Sequence, residues 1–228
     1  MDWTRLVVCA AASLPAGWIA GVLFERIPPR KSLLKPFPRP QLGGVFFTLH
    51  LFTSAGFILA ALRFEDASPY TLVAFLVFLT VVIALSAIDL DTLRLPDRLV
   101  GGALVVSIPL ITFASVQAKA PEQIRFALFG GVFYFGFLLL THLAFPRGMG
   151  FGDVKLSALL GLFVGWLGAS GFESASLVLY SMIAGFITGS VVGVVLFSFR
   201  RQSKHYPFGP FLVGGALLVI AASNQLVG

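Results

Sequence analysis

The sequence predicts an all-α fold: a polytopic transmembrane helical bundle of about eight spans. Three observations predict it. Of 228 residues, 57% are hydrophobic and only 11% charged, against the roughly 25% charged of a soluble domain. Apolar runs of about 17 to 20 residues recur along the chain, each long enough at 1.5 Å per residue to cross most of a hydrocarbon layer roughly 30 Å thick. Only helices or a closed barrel can satisfy their backbone in lipid, and these runs lack the alternation a barrel needs.

Taken in order, the first span is expected over Val7 to Phe24, an apolar run behind Arg5. A cleaved signal peptide is the alternative reading of that run, since it is rich in alanine and other small residues. Its continuation to Phe24 and the basic loop that follows suit a retained anchor. That loop, Glu25 to Leu42 (ERIPPRKSLLKPFPRPQL), is the longest hydrophilic connection, and its five prolines oppose a continuous helix. A basic surface loop against anionic headgroups is the plain reading, and a part in meeting a substrate the alternative. Spans over Gly44 to Leu62 and Thr71 to Ile88 follow. A polar loop, AIDLDTLRLPD (Ala87 to Asp97), then leads into a span over Leu99 to Val116 and another over Phe126 to Phe145. A second polar loop, RGMGFGDVK (Arg147 to Lys155), precedes Leu156 to Ala169, and Ser176 to Phe199 and Pro210 to Leu226 complete the set. Residues 1–228 are thus expected to form a single integral membrane domain.

The net charge of +6 does not point to nucleic acid, because the basic residues are scattered between spans rather than gathered on one solvated face. Membrane topology accounts for them. With the amino terminus outside, Arg26, Arg30, Lys31, Lys35, Arg39, Arg94, Arg98, Arg147, Lys155, Arg200, Arg201 and Lys204 all fall inside. Only Arg5, Arg63, Lys119 and Arg125 fall outside, a bias that orients the chain by the positive-inside rule. The lone Cys9 sits in an apolar segment and allows no internal disulfide or thiolate cluster. His50, His142 and His205 show no ligand spacing, so no metal or cofactor is expected, and isolated interface or core positions account for them.

Counting crossings puts Asp89, which follows the third span, and Asp153, which precedes the sixth, on the same side and at the same depth. An acid at a membrane boundary is ordinarily solvated, paired or used to cap a helix. Asp97 fits that role as the cap of the fourth helix after Pro96. Asp153 stands apart because Gly148, Gly150 and Gly152 alternate before it. Such glycines permit left-handed backbone angles and let another chain approach closely. Two neighbouring carboxyl groups would share a proton. The ionised one could then activate a water while the protonated one hydrogen-bonds a scissile carbonyl, with no cofactor.

Ile88-Asp89-Leu90-Asp91 with Leu95-Pro96-Asp97, then Gly150-Phe151-Gly152-Asp153 with Val154-Lys155-Leu156, resembles the type IV prepilin peptidases, the GxGD aspartic family. Tyr206-Pro207-Phe208-Gly209-Pro210 is similar to the family's closing PFGP segment, and the 64 positions separating Asp89 from Asp153 match its spacing. The resemblance runs from about Ala87 to the carboxyl terminus. It implies that Asp89 and Asp153 are the catalytic pair, that Gly150 and Gly152 open the substrate's approach, and that Lys155 holds the leader, tunes Asp153 or anchors the interface. It also implies a substrate, the leader of type IV prepilins or of pilin-like (pseudopilin) subunits of type II secretion, cut at the cytoplasmic face of the bacterial inner membrane. Larger members carry two CxxC pairs after the first span and methylate the new amino terminus. The corresponding stretch here is the short cysteine-free loop Glu25 to Leu42, so peptidase activity alone is expected.

Two rivals from other classes remain. A proton- or cation-coupled transporter would use intramembrane acids and glycine-broken helices such as the stretch Phe186 to Val195; the spans here lack mid-depth polar residues apart from isolated Ser and Thr. A noncatalytic, peptidase-like scaffold would not need both acids.

Overall fold

The computed structural model describes residues 3–26, 44–146, 149–199 and 207–226, and among these it has eight helices and no strand. They are α1 (Trp3–Arg26), α2 (Gly44–Arg63), α3 (Pro69–Thr92), α4 (Asp97–Gln117), α5 (Glu122–Ala144), α6 (Phe151–Gly165), α7 (Gly171–Phe199) and α8 (Gly209–Leu226). Six of them, α1 to α5 and α7, are long and apolar enough to cross a membrane. The eight elements match the eight expected, and the chain is a multi-pass membrane protein. The basic stretch expected over Glu25 to Leu42 lies outside the described residues beyond Arg26, as do Arg147, Gly148, Arg200, Arg201, Lys204, His205 and Tyr206.

The differences from the expected spans lie in α8, whose apolar stretch Gly209–Ser223 is shorter than the six, and above all in α6. At 15 residues it is about 22 Å long, short of the roughly 30 Å of a hydrocarbon layer. Its surroundings explain the length. From Leu156 to Gly165 nearly every side chain is buried, including Leu156, Leu159, Leu160, Leu162, Phe163 and Val164. A helix apolar on every face belongs in a protein interior, so α6 is solvated by its neighbours and need not match the bilayer. It packs against α4, α5, α7 and α8.

Close backbone approach makes this possible. Lipid supplies little hydrophobic drive for helix pairing, so small residues carry it by letting backbones touch. Gly130 and Gly131 of α5 face Gly161 and Gly165 of α6. A Cβ at Gly165 would lie 2.7 Å from the Phe126 carbonyl oxygen, and one at Gly131 would lie 3.2 Å from that of Ala158. Away from the site, aromatic rings fill the space between helices. Phe64 stacks on Phe75 at 4.2 Å and Phe78 on Phe163 at 4.2 Å, with Trp166 at 5.4 Å from Phe75. The Trp166 indole N–H donates to Ser115 Oγ at 2.9 Å. Near the amino terminus, Arg5 donates to the carbonyls of Phe64, Glu65 and Ala67 at the α2–α3 turn. Arg63 donates to Ile220 O and Ser223 Oγ near the end of α8. Arg5 and Arg63, expected on one side of the membrane, thus meet the same end of the bundle.

The α5–α6 seam yields a test. Gly161→Ala puts a methyl 2.8 Å from Tyr134 Cβ, against a Gly130 backbone with no flexible end to yield. Overpacking of this kind costs about 1–3 kcal/mol. Thermal unfolding in detergent should show the variant clearly destabilised, whereas Gly136→Ala on α5, whose added Cβ meets nothing within 4 Å, should unfold like the parent.

Candidate active site

Helix α3 begins at a Ser68 cap, whose side chain accepts from the Thr71 N–H at 3.2 Å, with Pro69 at the first turn. It does not stop at Ile88, where its apolar span was expected to end. One more turn forms, through Thr92, whose Oγ1 donates to the Ile88 carbonyl at 2.8 Å. Leu93, in a left-handed conformation at φ 53°, then closes it, its N–H reaching the Asp89 carbonyl at 2.9 Å. The extra turn has a consequence for Asp89. Leu85, Ile88 and Asp89 lie on the face that points into the bundle and are buried, whereas Leu90 and Asp91 point outward. Asp89 thus occupies a core position, at 5% exposure, rather than a solvated loop.

Asp153 arrives from the opposite chain direction, in the first turn of α6. Its N–H donates to the Gly150 carbonyl at 3.1 Å, and Gly150 is the helix N-cap at φ −70°, ψ 142°. Unpaired N–H groups at a helix start favour a negative group there. Asp153 is 8% exposed and shares the inward face with Leu156 and Leu160.

The third contributor is the start of α8. The Gly209 N–H donates to Asp89 Oδ2 at 3.0 Å, a buried bond between residues 120 positions apart. A Cβ built on Gly209 would lie 2.8 Å from Asp89 Oδ2 and 3.6 Å from Asp153 Oδ1. Those two oxygens are therefore no farther apart than these two short distances laid end to end. The structure thus brings the two sequence-predicted acids together in one buried space, with a backbone amide on one of them. Burial, and secondly the Asp89 carboxylate, push the Asp153 carboxyl up to about 7, with the Gly150 backbone opposing the rise. Groups this close and this dry cannot both hold a charge easily, so one proton belongs to the pair.

The start of α6, which carries Asp153, is fastened to the connection that follows α3 and to the start of α4. Gly152 lies against Leu95, where an added Cβ would stand 3.0 Å from Leu95 Cβ. Lys155 Nζ pairs with Asp97 at 2.7 Å and sits 4.8 Å over the Phe151 ring. Asp97 therefore does not act as the cap of α4: Pro96 occupies that position without a side-chain bond, and Asp97 is the first helical residue. The glycines before Asp153 also act differently from expected. Among the described residues no glycine has positive φ, so neither Gly150 nor Gly152 supplies left-handed backbone, and Gly152 allows the close approach of Leu95. His142 Nδ1 lies 2.9 Å from the Met149 carbonyl oxygen, beside Phe151, and His50 Nδ1 lies 2.8 Å from the Phe46 carbonyl oxygen. Among the described residues no three His, Cys, Asp or Glu side chains gather as a metal site would require. Sequence reasoning missed the role of Gly209. The Pro207-to-Pro210 segment carried a resemblance, but nothing in its residue types says that an amide there will meet an acid on α3.

A family model for the type IV leader peptidase family matches residues 76–198, which include both acids. Curated proteins called prepilin leader peptidase/N-methyltransferase are similar to the chain. That of Aeromonas salmonicida is 37% identical over 142 residues, covering 58% of this chain and 43% of the relative. That of Pseudomonas putida is 31% identical over 159 residues, 64% of this chain and 51% of the relative. That of Dichelobacter nodosus is 32% identical over 183 residues, 79% of this chain and 59% of the relative. The chain thus spans about half the length of these relatives. No solved structure matches it.

The carboxyl environment sets a pH dependence. An acid whose pKa is higher in the folded state than its ordinary 3.8 costs stability as pH rises through the interval between the two values. Asp153→Asn should therefore be more stable than the parent at pH 8, with the gap closing toward pH 4. An infrared carboxylic-acid stretch in the parent near pH 6 should vanish in this variant; a gap independent of pH would contradict the assignment. The Lys155–Asp97 pair is partly exposed, and a double-mutant cycle through Lys155→Ala and Asp97→Ala should give a coupling of no more than about 1 kcal/mol.

Proposed function

This chain belongs to the type IV leader peptidase family, and on that premise we propose that it is an intramembrane aspartic endopeptidase whose catalytic pair is Asp89 and Asp153. The observation that carries the proposal is the meeting of the two acids, buried, at the start of α8. In the resting pair one proton is shared. The ionised carboxylate takes a proton from a water between the two groups, and that water attacks the scissile carbonyl. The protonated carboxyl hydrogen-bonds the carbonyl oxygen as charge develops on it, and proton transfer to the leaving amine restores the pair. The water-excluded setting strengthens each of these interactions.

The proposed substrates are the leaders of prepilins, by analogy with the relatives' name, or of pseudopilins, as the motif resemblance implies. A short basic leader joined to a hydrophobic helix would rest in the bilayer with its junction at the membrane boundary. The inward bias of basic residues orients the chain with its amino terminus outside, which sets the dyad at the cytoplasmic face of the bacterial inner membrane. Gly150, beside Asp153, leaves the substrate backbone room to approach, whereas Gly152 is taken up by Leu95. Lys155, held by Asp97 at 2.7 Å, positions the first turn of α6, which carries Asp153. Peptidase activity alone is proposed, because the chain has one cysteine, too few for a thiolate tetrad. The transporter reading loses ground because both acids belong to one buried site and do not line a path across the bundle.

The test is cleavage of a purified prepilin by the full chain in lipid, read by mass spectrometry. Asp89→Asn and Asp153→Asn should each reduce product at least about 1,000-fold, the scale of losing an acid–base group, while inserting into membranes normally. Undiminished cleavage by either variant contradicts the dyad. A further methyl mass on the product, with S-adenosylmethionine present, contradicts peptidase activity alone.

A further inference from the structure

Helix α8 begins at Gly209 within the segment Pro207-Phe208-Gly209-Pro210. The Phe208 carbonyl accepts from the N–H groups of Phe211 at 3.1 Å and Leu212 at 3.3 Å, which starts the helix in the normal way. The first N–H groups of any helix have no partner within it. Pro210 has no N–H to offer, and that of Gly209 is spent on Asp89 Oδ2 at 3.0 Å. The segment is held firmly: Phe208 rests on Phe186 at 5.2 Å and covers Gly189, where a Cβ would lie 3.2 Å from its Cδ2. The amide is therefore a preorganised donor aimed at one carboxyl oxygen of one of the two acids. Asp153 takes no comparable bond from α8.

The second observation is steric. The position a Cβ would take at Gly209 lies 2.8 Å from Asp89 Oδ2 and 3.6 Å from Asp153 Oδ1. A methyl there would stand against a carboxyl oxygen of each acid. The bare Cα of Gly209 leaves that space empty, and α8 is anchored too well to retreat from an added methyl.

We propose that Gly209 is a positioning residue of the dyad: its amide holds Asp89 as the ionised partner that activates water, leaves the shared proton on Asp153, and its missing side chain keeps the space between them open. A hydrogen bond donated to a carboxylate favours the charged form; Asp89 takes the 3.0 Å bond from Gly209, while on Asp153 the Gly150 backbone is outweighed by burial and by the Asp89 charge, so the two settings differ in which acid they leave ionised. The inference rests on the dyad reading above, and goes beyond it by assigning base to Asp89 and acid to Asp153.

Three alanine variants on α8 test it in the full chain. Gly214→Ala meets nothing within 4 Å and should behave as the parent. Gly215→Ala would press a methyl to 2.5 Å from the Gly185 nitrogen and should lower thermal stability. Gly209→Ala should keep its unfolding temperature near that of the parent yet lose at least about 100-fold in prepilin cleavage, the penalty typical of a displaced reacting group. It should also shift or split the infrared carboxylic-acid band, which packing damage elsewhere leaves alone. Cleavage by Gly209→Ala within about threefold of the parent, when both Asp→Asn variants are dead, overturns this proposal and spares the dyad; active Asp→Asn variants overturn the dyad itself. Should Gly209→Ala fail to fold, the Gly209 amide resonance in isotope-labelled protein decides. It should move on Asp89→Asn and hardly respond to Asp153→Asn, and indifference to Asp89→Asn sinks the proposal.

Discussion

Two carboxyl groups buried within reach of one another cannot both be charged without large electrostatic cost, and much of this bundle serves to hold them so. Asp89 is kept inward by an added helical turn and a left-handed cap at Leu93, Asp153 by the amino-terminal turn of a helix sunk among its neighbours. The α5–α6 glycine seam brings the backbones of the two helices into contact and so fixes α6 against α5. The fastening of Lys155 to Asp97 and of Leu95 to Gly152 ties the start of α6 to the start of α4 and to the connection before it. A site of this kind lowers stability locally, and the aromatic and glycine packing elsewhere offsets that cost.

The fold was largely legible in the sequence. Recurrent apolar runs predict membrane helices because lipid forbids unsatisfied backbone, and all eight helices form where runs were expected. What length and hydropathy could not reveal is that α6 is shielded by protein and so shorter than a bilayer. Its composition, apolar on every side, suits lipid and protein interior equally. Helix ends were also indistinct. Nothing in Leu90-Asp91-Thr92 forbids another turn beyond Ile88, and that turn changes Asp89 from a boundary acid into a core one.

The site was half legible. The acids stood out because charges are rare in such a chain and because crossings could be counted. Of the two roles expected of the glycines before Asp153, left-handed backbone is not used at Gly150 or Gly152, and the close approach at Gly152 is made by Leu95. The contact of Gly209 with Asp89 was invisible, since a backbone amide carries no residue-type signal and the partners are 120 positions apart. Asp97 illustrates the reverse error, in which a plausible local role as helix cap gave way to a partner from another loop, Lys155.

The central claim is spatial, and it can be measured without any substrate. In a Cys9→Ser background, the double replacement Asp89→Cys and Asp153→Cys should allow a short bifunctional thiol reagent to link the two positions within one chain, rapidly and in native membranes. After cleavage of the chain between α4 and α5, the two fragments should remain joined. Fragments that separate, under conditions where each cysteine alone is shown to react, would mean that the acids do not share a site.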